Sequence, residues 1–385
     1  MKILHFTNKP IYPVIDGGCV AMKNTLDLLS VMQGENEIVH FTLATHKHPF
    51  NKGTYPKNRK YTLYFQEIDT TIKTLDLIKS LKAFTPYNVQ RFFDSSVVET
   101  LQDIIELHKI EVVLLESIYL LPYLKHLHKV KVIVRTHNIE WKLWQDRAKG
   151  ESNWLKKIYS KHLSQQLKNY ESVALRNVDH VLSISNSDAE WFEKLLPNTS
   201  VLQTSIEVST EPANYELNDF YFLGAADWPP NLEALNWLLT DVLAEKNFDF
   251  QIHIAGKNLD PKLYNDHPNV TNHGEINNAD VFIKNHGIAL IPLQTGGGVK
   301  MKVLEALKHG KPCITTNEGM RGLALKNQEN VLVANSAKDF LEAMKQLNQN
   351  ESLRKAIGEG GKRFLNDNFA PDKEAQKLFE IIANI

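Results

Sequence analysis

The stretch QTGGGVKMKVLEALKHGKP, residues 294–312, holds the chain's most concentrated chemistry. Gly296, Gly297 and Gly298 stand between an apolar run, GIALIPL (287–293), and a segment of helical spacing whose first turn carries or adjoins Lys300 and Lys302. A helix N-terminus bears partial positive charge, so cations there are mildly unfavourable unless an anion sits nearby. A glycine loop ahead of a helix also lets backbone N–H groups close on an anion. Together these features read as a phosphate or diphosphate turn, with Lys300 and Lys302 as the neutralising cations. Glu305, one turn on, offers a carboxylate suited to paired hydroxyls such as those of a ribose. The plainer alternative is a tight strand-to-helix turn with solvated lysines. Neither G-x-x-x-x-G-K-[ST] nor a G-x-G-x-x-G after the first strand occurs, which removes the main support for P-loop and dinucleotide readings.

Three further stretches could serve such a site. In YPVIDGGCVAM (12–22), Gly17 and Gly18 precede a helix and again present backbone amides, although glycine pairs are common at such turns. In VIVRTHNIEW (132–141), His137 falls just past a strand's carboxyl end, where it could polarise a substrate hydroxyl or donate to developing charge. The bland reading is a loop histidine that holds the next turn. In YFLGAADWPPNLEALNWL (221–238), Gly224 follows a strand and Asn231 or Asp227 could cap the helix. Trp228 either stacks on a base or covers the loop, the second being favoured. The apolar stretch LDLIKSLKAFTPYNVQRFF (75–93), dotted with lysines, reads as a solvated amphipathic helix, with an acceptor-side or membrane-surface helix as the alternative.

The elements that must position these residues alternate regularly. Strand-like runs at 2–6, 37–44, 111–117, 129–137 and 180–185 are separated by helical patterns at 19–33, 97–109 and 153–177. The rhythm resumes with strands at 219–225, 249–256, 287–293 and 312–316 and helices at 231–246, 299–310 and 337–349. Strands bounded by helices argue for parallel sheets covered on both faces. The 385 residues exceed one ordinary core, so two domains are expected. The polar, acidic stretch around Pro212 reads as the hinge. Two such domains normally bind ligands at the carboxyl ends of their strands.

Composition narrows the classes. With 43% hydrophobic and 23% charged residues and a formal net charge of −1, no global field attracts nucleic acid, so an anion site must be local. Cys19 and Cys313 match no zinc or redox spacing, and a reduced cytoplasm is the simplest setting. The first ten residues read as a strand and not as a signal peptide. No segment approaches the roughly 18 uninterrupted apolar residues of a bilayer span. The expectation is a cytoplasmic protein, soluble or at most associated with the inner face of a membrane.

Taken together, DGG after the first strand, RTHNIE, FLGAADWPPN and GGGVKMKVLEALKHGKPCITTNEGMRGL (296–323) resemble the retaining glycosyltransferases of the GT-B fold, in particular glycosyltransferase family 4. The resemblance covers nearly the whole chain. It implies two Rossmann-like α/β domains with parallel sheets facing a central cleft: residues 1–205 on the acceptor side, a hinge at 206–218 and a nucleotide-sugar domain at 219–369. A final helix, 370–385, would cross back to the first domain. It implies hexosyl transfer from a nucleoside-diphosphate sugar to a glycan or lipid-linked acceptor, with retained configuration and no required metal or cofactor. Glu305 matches the second glutamate of the family's Glu-x7-Glu motif, Gly17 and Gly18 its donor loop, and His137 the histidine near the transferred sugar. Gly319 and Gly322 fall more loosely near the donor sugar or diphosphate. Two departures stand out. Gly297 replaces the motif's first glutamate, and the GAADWPPN loop lacks the usual cation, so Lys300 and Lys302 are read as its replacement and Lys302 as a catalytic group beside His137. A nucleotide-sugar epimerase and an inactive nucleotide-sugar binder are the alternatives.

Overall fold

The computed structural model describes residues 1–31, 36–244, 248–262, 264, 267–296 and 299–385. They form two compact units, Met1–Ser205 together with Pro371–Ile385, and Ile206–Ala370. Each is built on its own parallel sheet.

In the first unit the strands are β1 Lys2–Thr7, β2 Glu37–Ala44, β3 Thr62–Glu67, β4 Val112–Glu116, β5 Lys131–Thr136, β6 His180–Ser183 and β7 Thr199–Val201. They lie in the order β3-β2-β1-β4-β5-β6-β7, all pairs parallel. Runs such as VVLLE in β4 are buried at every position, as a sheet covered on both faces demands. The order reverses between β1 and β4, so the loops that follow these two strands diverge and leave a crevice at their carboxyl ends. The last helix, Pro371–Ala383, belongs to this unit: its Ala375, Leu378 and Ile382 join Met22, Leu26 and Leu29 of the helix Gly17–Val31 in one apolar cluster.

The second unit holds β8 Phe220–Leu223, β9 Ile252–Ala255, β10 Val270–Asn272, β11 Ile288–Ile291, β12 Cys313–Thr315 and β13 Leu332–Val333, in the order β10-β9-β8-β11-β12-β13. Here the reversal falls between β8 and β11, which places the segments after Leu223 and Ile291 at the crevice.

Several elements depart from the sequence reading. The amphipathic stretch 75–93 is not one helix but two short ones, Thr74–Ser80 and Tyr87–Gln90, because Pro86 disfavours helix at the residue before it. The helix Glu351–Phe369 was hidden by Gly358, Gly360 and Gly361; a Cβ on Gly360 would lie 1.9 Å from the Glu329 carbonyl oxygen, so close helix packing selects glycine there. Among the described residues, no helix is long and apolar enough to cross a membrane.

Candidate active site

In the second unit, Gly224 follows β8 and the helix Pro229–Trp237 begins after the AADW turn. Neither Asp227 nor Asn231 caps that helix. Asp227 instead accepts a bond from Asn258 Nδ2 at 2.9 Å, and Asn231 lies inside the helix with its side chain turned back to the loop. There Asn231 Nδ2 donates to the Ala225 carbonyl at 2.9 Å, while its Oδ1 accepts from Lys302 Nζ at 2.6 Å. Trp228 is 58% exposed.

Lys302 reaches this turn from the helix Met301–Lys308, whose N-terminus has no side-chain cap. Its ammonium sits 5.0 Å from the centre of the Phe222 ring and would be 3.1 Å from a Cβ placed on Gly224. Burial pushes the Lys302 ammonium down to about 8, because removing a charge from water penalises the charged form. The loop that lacks a cation of its own therefore receives one from the helix that faces it.

Lys300 has a different environment. It is buried, and its Nζ donates to the Gly296 carbonyl at 2.9 Å and to Glu318 Oε1 at 3.3 Å. It thus ties the glycine loop to the segment that follows β12. Gly297 and Gly298 lie outside the described residues. Thr295 anchors the near side of the loop by donating to Glu233 Oε2 at 2.5 Å. On the far side, Gly319 N–H donates to Thr316 Oγ1 at 3.0 Å, and Gly322, at φ +82°, packs on Val299. Gly224, Gly296, Lys300, Lys302, Gly319 and Gly322 are thus gathered along the carboxyl ends of β8, β11 and β12. Glu305 lies one turn beyond Lys302 on the same helix; its Oε2 is 3.7 Å from Lys308 Nζ, and its carboxylate neighbours Asp280 and His309.

In the first unit, Gly17 and Gly18 open the helix Gly17–Val31. Asp16 Oδ1 accepts from Cys19 N at 2.8 Å, and Lys9 Nζ donates to Asp16 Oδ2 at 2.5 Å. A Cβ on Gly17 would meet nothing within 4 Å, so internal packing does not select glycine here. What its absence of a side chain provides is free approach to the backbone.

His137 follows β5, and its Nε2 lies 2.7 Å from Glu116 Oε2 at the end of β4. The other carboxylate oxygen takes His5 Nε2 at 3.0 Å, and Arg135 Nη1 stands 3.8 Å away. Glu116 and Arg135 are wholly buried. Burial alone would raise the Glu116 carboxyl, but the Arg135 guanidinium and the bonds from His137 and His5 hold it well below the usual carboxylate range. An ionised carboxylate only accepts, so His137 Nε2 and His5 Nε2 both carry hydrogen. His137 then presents Nδ1 as its free face, with its side chain 17% exposed. His5 Nδ1 lies 3.0 Å from His40 Nδ1 and extends the chain inward. The sequence reading singled out His137 but missed Glu116, Asn231 and Glu318. Glu116 ends a strand whose other residues are apolar, and that is the one local signal it offers.

Two parallel-sheet α/β units, each with its reactive groups at the crevice where the strand order reverses, define an α/β protein of the GT-B fold. Residues 218–350 match the family model described as glycosyl transferases group 1. Over its whole length the chain is similar to an uncharacterized 44.6 kDa protein in the cps region of Klebsiella pneumoniae, 23% identical over 98% of this chain and 99% of that one. In structure it is similar to Anabaena Alr3699/HepE, solved in complex with UDP (TM-score 0.66, 13% identity, 100% of both chains). It is likewise similar to sucrose-phosphate synthase from Thermosynechococcus elongatus (TM-score 0.68, 13% identity, 100% and 99% covered). The chain is a glycosyltransferase.

Proposed function

We propose that this glycosyltransferase is a retaining hexosyltransferase of family 4 that takes a nucleoside-diphosphate sugar and passes the hexosyl group to a glycan or lipid-linked acceptor. The observation that carries the reading is Lys302, whose ammonium stands against Gly224 and Asn231 in a loop otherwise without a cation. The anion it suits is a diphosphate, held also by the uncapped amides of the helix Met301–Lys308. UDP in the similar Anabaena structure supports a nucleoside diphosphate as that anion. Lys302 would stabilise the departing diphosphate as its charge develops. Lys300 would keep the glycine loop in place through Gly296 and Glu318. Gly17 would admit the donor to backbone amides, and His137 Nδ1 would bind a hydroxyl of the transferred sugar. Among the described residues no side-chain nucleophile is evident, which favours attack on the same face assisted by the leaving phosphate. No metal or cofactor is assigned a role in this reaction.

The test is a thermal-shift screen over UDP, GDP, ADP, TDP and CMP, followed by product analysis with the corresponding sugar donors. One diphosphate is expected to stabilise the full chain, and its sugar conjugate to be consumed only when acceptor is present. Conversion without acceptor would mark an epimerase, and stabilisation without turnover across an acceptor panel a binding protein.

A surface patch supports a lipid-linked acceptor taken at an anionic membrane. Gln166 Nε2 donates to the Ser80 and Ala83 carbonyls at 2.7 and 2.6 Å, fixing the helix Thr74–Ser80 against the helix Trp154–Ala174. On these two helices and the residues beside them, Ile72, Leu75, Ile78, Phe84, Trp154 and Ile158 are all more than half exposed. Lys73, Lys79, Lys82, Lys156 and Lys161 are exposed among them. Exposed apolar side chains interspersed along the chain with exposed lysines suit the boundary of an anionic bilayer. The relative in a cps region is consistent with glycoconjugate synthesis. Co-sedimentation with phosphatidylglycerol vesicles but not with phosphatidylcholine vesicles, lost in a Leu75→Glu/Trp154→Glu variant, is the expected result. Equal recovery with both lipids would remove the membrane from this reading.

A further inference from the structure

We propose that His253, His273 and His286 form a binding site for one divalent transition-metal ion, with Asp219 orienting His286. Three separate segments of the second unit supply the imidazoles: β9, the turn after β10, and the end of the helix Ala279–Asn285. Their ring nitrogens lie within 4.8 Å of one another. His253 Nδ1 and His273 Nε2 are 3.0 Å apart, and the His253 and His286 rings stack with centroids at 4.1 Å.

Asp219 gives the cluster its direction. Its Oδ2 lies 2.5 Å from His286 Nδ1 and 3.6 Å from His253 Nε2, while Oδ1 accepts the Gly287 N–H at 2.9 Å. A carboxylate held in this way takes the hydrogen of His286 Nδ1. The lone pair then falls on His286 Nε2, while His253 Nδ1 faces His273 Nε2. Two imidazole nitrogens facing each other at 3.0 Å need either a shared proton or a cation. A tetrahedral ion with metal–nitrogen bonds of about 2.0–2.1 Å has ligand–ligand edges of about 3.3 Å, so these two nitrogens already span one edge. Carboxylate–histidine–metal triads fix ring orientation and ligand basicity in just this arrangement. Phe282 closes the apolar side, with its ring 4.5 Å from His286 and 5.4 Å from His273. Lys311 Nζ, which donates to the His286 carbonyl at 2.5 Å, pins the backbone of that ligand.

Three neutral imidazoles without a thiolate or a second carboxylate select zinc, nickel, cobalt or copper over magnesium and calcium. The cluster is separate from the candidate donor residues. Asp219 and His286 precede β8 and β11, whereas Gly224 and Gly296 follow those strands. A bound ion would clip three segments together and leave a fourth position for water.

The test is titration of the EDTA-stripped, dialysed full chain with CoCl2 and with ZnCl2. Expected are visible absorption bands of four-coordinate cobalt that saturate at one equivalent, bleaching on addition of zinc, and a raised melting temperature with either ion. The His273 ring is exposed, so His273→Ala should fold normally and lose the cobalt spectrum. Asp219→Asn should keep the spectrum but weaken binding by about 10–100-fold. Absence of a stoichiometric cobalt signal, or a His273→Ala variant that binds as the parent does, overturns the proposal.

Discussion

Replacing Lys302 by methionine tests the donor site most directly, because its effects on the free and the bound protein have opposite signs. Lysine ordinarily titrates near 10.5, and burial brings Lys302 to about 8. The unfolded chain therefore holds this proton through a range in which the folded chain has released it. Charged Lys302 penalises the native state fully below pH 8, and the penalty fades as pH climbs from 8 towards 10.5. At about 1.4 kcal/mol per pH unit the whole effect is roughly 3 kcal/mol, and nearer 2 after allowing for the part of the side chain that meets solvent. Methionine removes that cost but leaves Asn231 Oδ1 without its 2.6 Å partner, a loss of about 1 kcal/mol. The ligand-free variant should thus match or slightly exceed the parent's melting temperature at pH 7. A bound diphosphate does the reverse, since it restores favourable surroundings to the ammonium. Roughly 2–3 kcal/mol of recovered energy corresponds to about 100-fold in affinity. The assay is thermal shift and calorimetric titration with the nucleoside diphosphate found in the screen, at pH 7, 8, 9 and 10. In the parent, affinity should weaken about tenfold per pH unit above pH 8; in Lys302→Met it should be weak and flat with pH. A variant that binds the diphosphate as tightly as the parent, or a parent whose binding ignores pH between 8 and 10, refutes the assignment of Lys302 to the diphosphate.

Two further outcomes follow from buried groups of the first unit. Glu116→Gln removes the charge that balances Arg135 in a fully buried setting, so chemical denaturation should show a loss of about 3–5 kcal/mol. Folded variant recovered at low temperature should lose kcat with little change in donor KM, since the amide can no longer enforce hydrogen on both His137 Nε2 and His5 Nε2; an unchanged kcat removes Glu116 from His137's role. For Glu171, burial and then the neighbouring Glu140 push the carboxyl up to about 8. Its raised value means that the native state holds a proton the unfolded chain has lost between about pH 4.5 and 8, so native stability declines as pH rises through that window. Glu171→Gln should accordingly raise the melting temperature at pH 8 and leave it nearly unchanged at pH 5, and equal shifts at both pH values would contradict the buried, protonated carboxyl.

What the sequence made legible was whatever repeats along the chain. Apolar runs at strand length, helices of regular spacing and glycines at strand ends located β1, β2, β4, β5 and β6, and later β8, β9, β11 and β12, together with Gly224, Gly296 and His137 at their carboxyl ends. The strands β7, β10 and β13 are three residues or shorter, too brief for periodicity to register. What stayed hidden depends on side-chain direction. Lys300 and Lys302 lie two residues apart and look interchangeable in sequence, yet Lys300 is the extended residue that precedes the helix and Lys302 lies in its first turn. One ammonium therefore closes on Gly296 and Glu318 while the other reaches Asn231, 71 residues earlier. Glu116 presents the same problem in a strand: nothing nearby in sequence shows that β1 and β5, its neighbours in the sheet, bring His5, Arg135 and His137 to a single carboxylate. The two cations that a sequence motif would treat as a pair are thus differently placed, Lys300 tied to the glycine loop through Gly296 and Glu318 and Lys302 turned to Asn231 and the GAADWPPN loop. Under the proposed function, that difference in placement is why the buried Lys302 is the lysine expected to couple donor affinity to pH.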